Sequence, residues 1–299
     1  MKKLIAFFFV ALLAVSLFAC KEKEYAVDGV FLGYEVGVSR NAPMVTYVEV
    51  TIEKGEIVKY NIDVRQGVRT GDLTADPVVP YAWAWNAKTK KELGNDYGMK
   101  ESSAIGKEWF EQAASIEAFW LENGVDAMTK NAETSAIDNI TGVSIKDAYS
   151  VAANRALENA KAGKFVAVHC SGKDLYTAEM TLTSKGKIDT LKLDVLQATT
   201  SATEGTFVWK TQTKQQLGYA YGMHKNASGT STEAEYIAWL TANNKLEWFE
   251  QANLITADII ANGWSTTASE NVLAGVTITT TGYYAVLAKL FGLAGDSVK

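Results

Sequence analysis

Two short stretches of the chain place a hydroxyl side chain between a glycine and an isoleucine, just ahead of an apolar run that is typical of a helix. The later stretch reads Ala274-Gly275-Val276-Thr277-Ile278-Thr279-Thr280, and the earlier one reads Thr141-Gly142-Val143-Ser144-Ile145. The first N–H groups of a helix have no intrahelical partner, so a helix start favours a hydroxyl cap or an anion. Thr277 and Ser144 are therefore candidate sites for a phosphorylated ligand. The same pattern also serves as an ordinary helix cap, and these residues alone leave both interpretations open.

A second pair of motifs, Tyr97-Gly98-Met99 and Tyr221-Gly222-Met223, offers side chains suited to an aromatic ligand ring. Such a ring needs an apolar or aromatic wall and a few backbone donors, and glycine lets the backbone approach closely. The alternative is that Tyr and Met are core residues around a glycine turn. Tryptophans offer a weaker aromatic wall, and packing is the favoured role for Trp85 and Trp209.

The chain offers few groups for histidine or cysteine chemistry, because it contains only two residues of each type. Cys170 belongs to an alternating run, residues 165–170, and is expected to be a buried strand residue. His169 and Cys170 together lack metal-ligand spacing, and we predict no metal site. We expect His169 and His224 at the surface, near the mouth of a ligand pocket.

Most of the chain consists of two copies of an internal sequence repeat. Thr89-Lys90-x-x-Leu93-Gly94-x-x-Tyr97-Gly98-Met99 recurs 124 residues later, with seven identities in eleven positions. Trp109-Phe110-Glu111-Gln112-Ala113 recurs as Trp248-Phe249-Glu250-Gln251-Ala252, and the hydroxyl motif follows in both copies. We predict tandem domains over residues 25–163 and 164–299.

Each copy is expected to combine an antiparallel sheet with packed helices, an α+β fold. Alternation predicts hairpins over residues 45–64 and 175–196, with turns at Lys54-Gly55 and Lys185-Gly186. Helices are predicted over 108–123 and up to 262, ended by Gly124 and Gly263. Closing helices follow at 147–162 and roughly 280–293. The tryptophans at 83 and 85 are placed in a loop-rich stretch, and an insertion including residues 234–240 is read as an extra helical turn or two.

Composition indicates an ordinary globular protein, since 47% of the 299 residues are hydrophobic and 21% are charged. The formal net charge is −5. An acidic chain is a poor candidate for binding nucleic acid, because phosphate contacts need clustered Lys and Arg.

The N-terminus has the pattern of an export signal. Lys2-Lys3 precede an apolar run over residues 4–18 that is too short for a comfortable membrane span. The run ends in Leu17-Phe18-Ala19-Cys20, which resembles the bacterial lipobox. That resemblance implies a signal peptide over residues 1–19, a lipidated Cys20, and a short tether over residues 20–24. The alternative is an uncleaved anchor with an incidental cysteine.

The later hydroxyl motif resembles the Ser-Gly-Ala-Thr-x-Thr-Ser motif of the FMN-binding domain family. That family includes the covalent-flavin subunits of sodium-pumping NADH:quinone reductases and of Rnf complexes, and extracellular electron-transfer lipoproteins with two tandem FMN domains. The resemblance covers nearly all of the chain after the signal, including the lipobox, the Leu-Gly-x-x-Tyr-Gly-Met block and the tryptophan helix. It implies two FMN-binding-type domains. It also implies that a flavin transferase joins FMN from FAD to Thr277 through a phosphodiester.

The resemblance further implies the flavin site residues and the cellular role. The site would comprise the two hydroxyls and their neighbours: Gly275, Val276, Thr277, Ile278, Thr279, Gly142, Val143, Ser144, Tyr97, Gly98, Met99, Tyr221, Gly222 and Met223. The protein would be an electron carrier rather than a turnover enzyme, anchored by lipid on the extracytoplasmic face of the bacterial membrane. Electrons would come from a membrane reductase or quinol and pass to an unknown acceptor.

The first copy departs from the family pattern. Ser144 replaces the family threonine, and Lys146-Asp147 stand where the family has small hydroxyl residues. A transferase that reads the local sequence could reject this copy, so Thr277 is the stronger predicted site. A ligand-binding or structural lipoprotein that has lost one or both flavins is the alternative function, and a reductase acting on a diffusible acceptor is another.

Overall fold

The protein consists of two four-stranded antiparallel sheets, each packed against its own helices. The computed structural model describes residues 24–200, 206–265 and 273–299. The strand order is sequential in both sheets, β1-β2-β3-β4 and β5-β6-β7-β8. The predicted α+β fold with two sheet domains is therefore confirmed. Cys20 and the signal segment lie outside the described residues.

The first sheet contains β1 (Gly29–Ser39), β2 (Ala42–Glu53), β3 (Glu56–Asp72) and β4 (Val79–Trp85), and its helices are α1 (Lys90–Leu93), α2 (Trp109–Asn123) and α3 (Ser150–Lys161). The second sheet contains β5 (Lys164–Ser171), β6 (Asp174–Leu182), β7 (Ile188–Thr200) and β8 (Phe207–Trp209). Its helices are α4 (Lys214–Leu217), α5 (Lys225–Ser228), α6 (Glu233–Ala242), α7 (Trp248–Asn262) and α8 (Thr281–Ala294).

The predicted hairpins form where the alternation places them. β2 and β3 pair with Val50 opposite Tyr60, and the Lys54-Gly55 turn has positive φ at both residues. Gly124 and Gly263 end α2 and α7 with φ of 83° and 84°, as expected for glycine stops. The predicted insertion forms α5 and α6, which is more helix than expected.

One prediction about local structure is wrong. The segment with Trp83 and Trp85 is the strand β4, which pairs antiparallel with the long end of β3. A short stretch containing Pro80 has little intrinsic strand signal, and pairing with β3 decides its conformation.

The closing helix α3 packs on β1 and β2, the closing helix α8 packs on β5 and β6, and each also touches the first strand of the other sheet. Asn159 of α3 donates from Nδ2 to the Leu32 carbonyl (2.8 Å), and the α3 alanines are fully buried. The α2 helix covers the remainder of the same face, burying Trp109, Ile116 and Trp120. The core is continuous between the domains, where Phe31 and Phe165 stack with ring centroids 4.6 Å apart. None of the helices in the described ranges is long and apolar enough to cross a bilayer.

Gly33 sets the distance between α3 and β1. A Cβ atom built there would lie 2.2 Å from the Ala152 carbonyl oxygen and 2.4 Å from the Ala156 nitrogen, both backbone atoms that cannot move alone. Gly37, four residues along the same strand, would meet only the flexible end of Met44 at 3.4 Å.

We predict that Gly33→Ala lowers the free energy of unfolding by about 1–3 kcal/mol, because the helix must move away from the sheet. Gly37→Ala is the matched control and should change stability by less than about 0.5 kcal/mol. Urea unfolding followed by tryptophan fluorescence measures both. Equal effects of the two substitutions would contradict the tight packing of α3 on Gly33.

Candidate functional site

The later hydroxyl motif is held by a buried glutamine of α7. Gln251 Oε1 accepts hydrogen bonds from the backbone N–H of Thr277 (2.7 Å), the backbone N–H of Ile278 (3.1 Å) and the Thr277 hydroxyl (3.2 Å). Gln251 is almost fully buried, and its Nε2 donates to the Leu246 carbonyl (2.9 Å). An amide oxygen has two lone pairs, so the two N–H groups suffice to satisfy it. The exposed Thr277 hydroxyl is thus the surplus donor, free to be esterified without leaving Gln251 unpaired.

The earlier motif has the same arrangement. Gln112 Oε1 accepts from the Ser144 backbone N–H (2.8 Å) and from the Ser144 hydroxyl (3.4 Å), and Gln112 is fully buried. Gly142 and Gly275 have φ of 79° and 84°, values that favour glycine. The two copies therefore present their hydroxyl by the same backbone path. Beside the hydroxyls, Val143 is buried, Val276 and Ile278 are half-buried, and Thr279 is exposed.

The structure corrects the predicted position of the hydroxyls relative to the helices. α8 starts at Thr281 with Thr280 as its N-cap residue, so Thr277 lies ahead of the helix and does not cap it. In the first copy α3 starts at Ser150, and Asp147 Oδ1 accepts from the N–H groups of Tyr149 and Ser150, both at 3.0 Å. The closely spaced hydroxyl residues of the sequence conceal where the helix begins. The glutamine, and not the helix terminus, positions the hydroxyl.

The Tyr-Gly-Met turns lie beside the same helices, fixed by a buried glutamate in each copy. Glu108 accepts from the backbone N–H groups of Met99 (3.0 Å) and Lys100 (2.9 Å). These bonds, with that of Lys100 the stronger, lower the pKa of Glu108. Glu247 accepts from the Met223 N–H (3.1 Å) and from the Tyr236 hydroxyl (2.5 Å). The turn and the hydroxyl motif are thus both anchored on the first residues of the tryptophan helix.

In the second copy a direct contact joins the two motifs, since Gln251 Nε2 lies 3.5 Å from Met223 Sδ. Gly98 and Gly222 both adopt left-handed conformations, with φ of 71° and 65°. The two tyrosines pack on the helix tryptophans, with ring centroids 6.5 Å apart for Tyr97 and Trp109, and 6.4 Å for Tyr221 and Trp248. The predicted site residues are therefore brought together in each copy.

A half-buried lysine lies over these aromatic rings. Lys90 Nζ is 4.9 Å from the Tyr97 ring centroid and 5.1 Å from that of Trp109, and burial lowers the pKa of Lys90 to about 8. Lys214 repeats the geometry over Tyr221 (4.9 Å) and Trp248 (5.4 Å), and burial also lowers its pKa. A cation held over aromatic faces is stabilised by the ring quadrupoles, and it can meet an incoming anion.

Several of these residues were not singled out from the sequence. Gln112 and Gln251 lie in the predicted helices over 108–123 and up to 262, together with Trp109 and Trp248, and all four residues are buried. The available signal was a polar residue on the apolar face of both helices. Tyr149 and Tyr283 were also missed, and their hydroxyls accept from the indole N–H of Trp109 (2.8 Å) and Trp248 (2.6 Å). These bonds tie each closing helix to the tryptophan helix.

A cavity of about 850 Å³ opens beside the first motif. The Tyr97-Gly98-Met99 turn lines it on one side and Ile145, Lys146 and Tyr149 line it on another. Its charged lining residues are four cations and one anion: Arg40, Arg69, Lys90, Lys146 and Asp96. The cavity lies within the usual size range of cofactor sites, and its charge suits a phosphorylated ligand.

Two of the three residues that depart from the family pattern, Lys146 and Asp147, have separate roles here. Asp147 caps α3, accepts from the Ser150 hydroxyl (2.6 Å) and forms an ion pair with Lys130 (3.0 Å). Its carboxylate is therefore paired within the protein. Lys146 is exposed and lines the cavity. The departure at Lys146 therefore adds a cation to the lining of this cavity.

Trp85 and Trp209 belong to the interface between the domains. Their ring centroids are 6.2 Å apart, and the Trp209 indole N–H donates to the Gly37 carbonyl (2.8 Å). The favoured packing role is confirmed.

The histidines lie apart from each other. The prediction that His169 lies near the mouth of the ligand pocket is wrong, because His169 lines a separate pocket between the domains. His224 is half-buried, and its backbone N–H donates to the Tyr236 hydroxyl (3.0 Å).

Comparisons with known proteins give little further information. A scan against models of protein families matched none, and a search of curated proteins returned no match. A similar solved structure is that of a protein from Clostridium thermocellum, determined in solution by NMR as a structural-genomics target. It has 20% sequence identity, a TM-score of 0.28, and an alignment covering 44% of this chain and 91% of that one. A likeness at this level carries no argument about function.

We predict that Gln251→Leu destabilises the protein by about 1–3 kcal/mol, because the N–H groups of Thr277 and Ile278 lose their acceptor. Asn253→Leu is the control, an exposed position of the same helix. Thermal and urea unfolding measure both variants. If the two substitutions cost the same, Gln251 does not hold the motif.

Lys90 should make stability depend on pH in a defined direction. Its pKa is about 8 in the folded protein against 10.5 when unperturbed, so between these values the unfolded chain binds more protons. The free energy of unfolding of the wild type, relative to Lys90→Met, should rise from about pH 8 to pH 10 and be nearly flat below about pH 7. A relative stability that falls with rising pH would contradict the burial of the Lys90 ammonium.

Proposed function

We propose that the protein is a lipid-anchored, extracytoplasmic electron carrier with covalently attached FMN at Thr277 and at Ser144. The observation that carries the proposal is that both copies fix an esterifiable hydroxyl with a buried glutamine, close to a lysine held over aromatic rings. The motif resemblance, which names FMN as the ligand, rests on the sequence alone and is independent of this geometry.

The residues present fit FMN in chemical type. The cations around the first cavity suit the phosphate, and the turn at Tyr97-Gly98-Met99 supplies an aromatic and apolar wall. In the second copy Tyr221, Met223 and Lys214 occupy the corresponding places. Bound FMN would supply one- and two-electron redox chemistry, and the protein would hold and orient it.

Attachment would proceed at the hydroxyl oxygen. The Thr277 Oγ1 forms the new ester bond to the phosphorus of the FMN half of FAD, the pyrophosphate bond breaks, and AMP leaves. The hydroxyl proton is released, and Gln251 keeps the two backbone N–H groups. A covalent bond would prevent loss of the cofactor outside the cell, where Cys20 would anchor the protein. Its partners would be a flavin transferase, a membrane electron donor and an electron acceptor.

We predict that the full chain, co-expressed with a flavin transferase in an exporting host, gains the mass of two FMN groups less two waters. Thr277→Ala and Ser144→Ala should each remove one group, and the double variant should remove both. Thr211→Ala is the control, since it deletes an exposed hydroxyl outside the proposed site and should keep both groups. Intact-mass spectrometry after denaturation measures the result. A chain without any covalent flavin would overturn the proposal and favour a lipoprotein that has lost its cofactor.

A further inference from the structure

A second pocket lies between the two domains and is lined by residues of both. It has a volume of about 440 Å³. β2 and β3 of the first sheet, β5 of the second sheet and the end of α8 all contribute to its lining. Thr89, the residue before α1, lines this pocket, and no residue of the two hydroxyl motifs does.

Two cationic side chains, one from each domain, meet in this pocket. Arg65 is half-buried, and its Nε is buried without a hydrogen-bond partner within the described part of the chain. The nearest carboxylate contact of Arg65 is a 3.8 Å approach of Nη1 to Glu92 Oε2. Lys289 lies at the pocket mouth, where its Nζ donates to the Val168 carbonyl (3.3 Å) and has two further donors to offer. An under-partnered guanidinium beside an ammonium is a site that an anion would complete.

Two carboxylates, those of Glu92 and Glu49, lie near the cations, and each also accepts a hydrogen bond from an uncharged donor. Glu92 Oε2 accepts from the Thr89 backbone N–H at 2.7 Å as part of a capping box. Glu49, which lines the pocket, accepts from Asn61 Nδ2 at 2.8 Å. Burial lowers the pKa of Lys289, and the charge of Arg65 acts in the same direction, whereas the charges of Glu49 and Glu92 oppose it. The protein therefore brings two like charges together, with Glu92 at 3.8 Å from Arg65 and no ion pair of Lys289 among the described residues.

The remaining walls of the pocket are mostly apolar. Leu32 and Val45 face Val168 and Leu293 across the domain interface. We propose that this pocket binds a small organic carboxylate, with its carboxylate on Arg65 and Lys289 and its apolar body against these four side chains. The site is separate from the proposed flavin sites and does not depend on them.

The internal repeat supplies a control for the role of Lys289. Arg155 is its counterpart in α3, since Arg155 donates to the Tyr34 carbonyl as Lys289 donates to that of Val168. Arg155 also has its own acidic partner, Glu35, at 3.8 Å. In the second sheet Leu196 occupies the register position of Arg65, so the two-cation arrangement is not duplicated there.

The two histidines provide a site-specific measurement. His169 lines the pocket, whereas His224 lies beside Trp239, with ring centroids 6.2 Å apart, in the second domain. Burial lowers the pKa of His169, so at pH 7.5 its imidazole is neutral and its NMR signal reports the ligand rather than its own titration. We expect benzoate, added to the purified full-length chain to about 20 mM, to shift the His169 ring signals saturably and leave those of His224 in place.

Matched probes and variants test each part of the proposal. Benzyl alcohol, which lacks the charge, and inorganic phosphate, which lacks the apolar body, should each bind at least about tenfold more weakly than benzoate. Arg65→Gln and Lys289→Gln should each weaken benzoate binding at least about tenfold, and Arg155→Gln should leave it unchanged. Thermal unfolding of the ligand-free variants shows whether they remain folded, and Lys289→Gln, at the pocket mouth, supplies the test if Arg65→Gln does not fold.

Three results would overturn the proposal. The first is the absence of a saturable His169 shift with benzoate. The second is equal affinity for benzyl alcohol or for phosphate, which would show an apolar pocket or a simple anion site instead. The third is a loss of benzoate binding in Arg155→Gln equal to that in Lys289→Gln, which would show a general effect of surface charge.

Discussion

The arrangement of each domain depends on one buried glutamine. Gln112 and Gln251 lie on the apolar faces of α2 and α7, where an unpaired amide would be costly. Each satisfies its oxygen with the backbone of the hydroxyl motif, at 2.8 Å for Ser144 and 2.7 Å for Thr277. The motif is thereby tied to the helix that also carries the buried tryptophan and the glutamate under the Tyr-Gly-Met turn. The need to pair a buried amide oxygen inside the core thus fixes the position of the hydroxyl at the surface.

The two copies keep this arrangement while their surroundings differ. The second copy has the α5 and α6 insertion, and Tyr236 of α6 shares Glu247 with the turn. The first copy has Lys146 and the large cationic cavity. If both carry a flavin, as proposed, different environments would give the two cofactors different properties. The domain interface adds a further difference, since Arg65 has a leucine at the matching place in the second sheet.

Most of the fold and part of the candidate site could be predicted from the sequence. Alternation located the β2–β3 and β6–β7 hairpins, and apolar spacing located α2 and α7, because each signal is repeated over many residues. β4 could not be recognised, since its conformation comes from pairing with β3. The helix start at Ser150 was predicted three residues early, at Asp147, which in fact caps the helix, whereas the start at Thr281 was predicted to within one residue. The role of Gln251 depends on a contact with residues 277 and 278, which a local pattern does not contain.

The measurement that tests the central claim most directly is the location of the flavin within the chain. Protein matured with a flavin transferase is digested, and its fluorescent peptides are fragmented in a mass spectrometer. Our account predicts FMN on the oxygen of Thr277 in the peptide containing residues 274–282, and on Ser144 in the peptide containing residues 141–145. Flavin that dissociates on denaturation, or that is attached to any other residue, would contradict it.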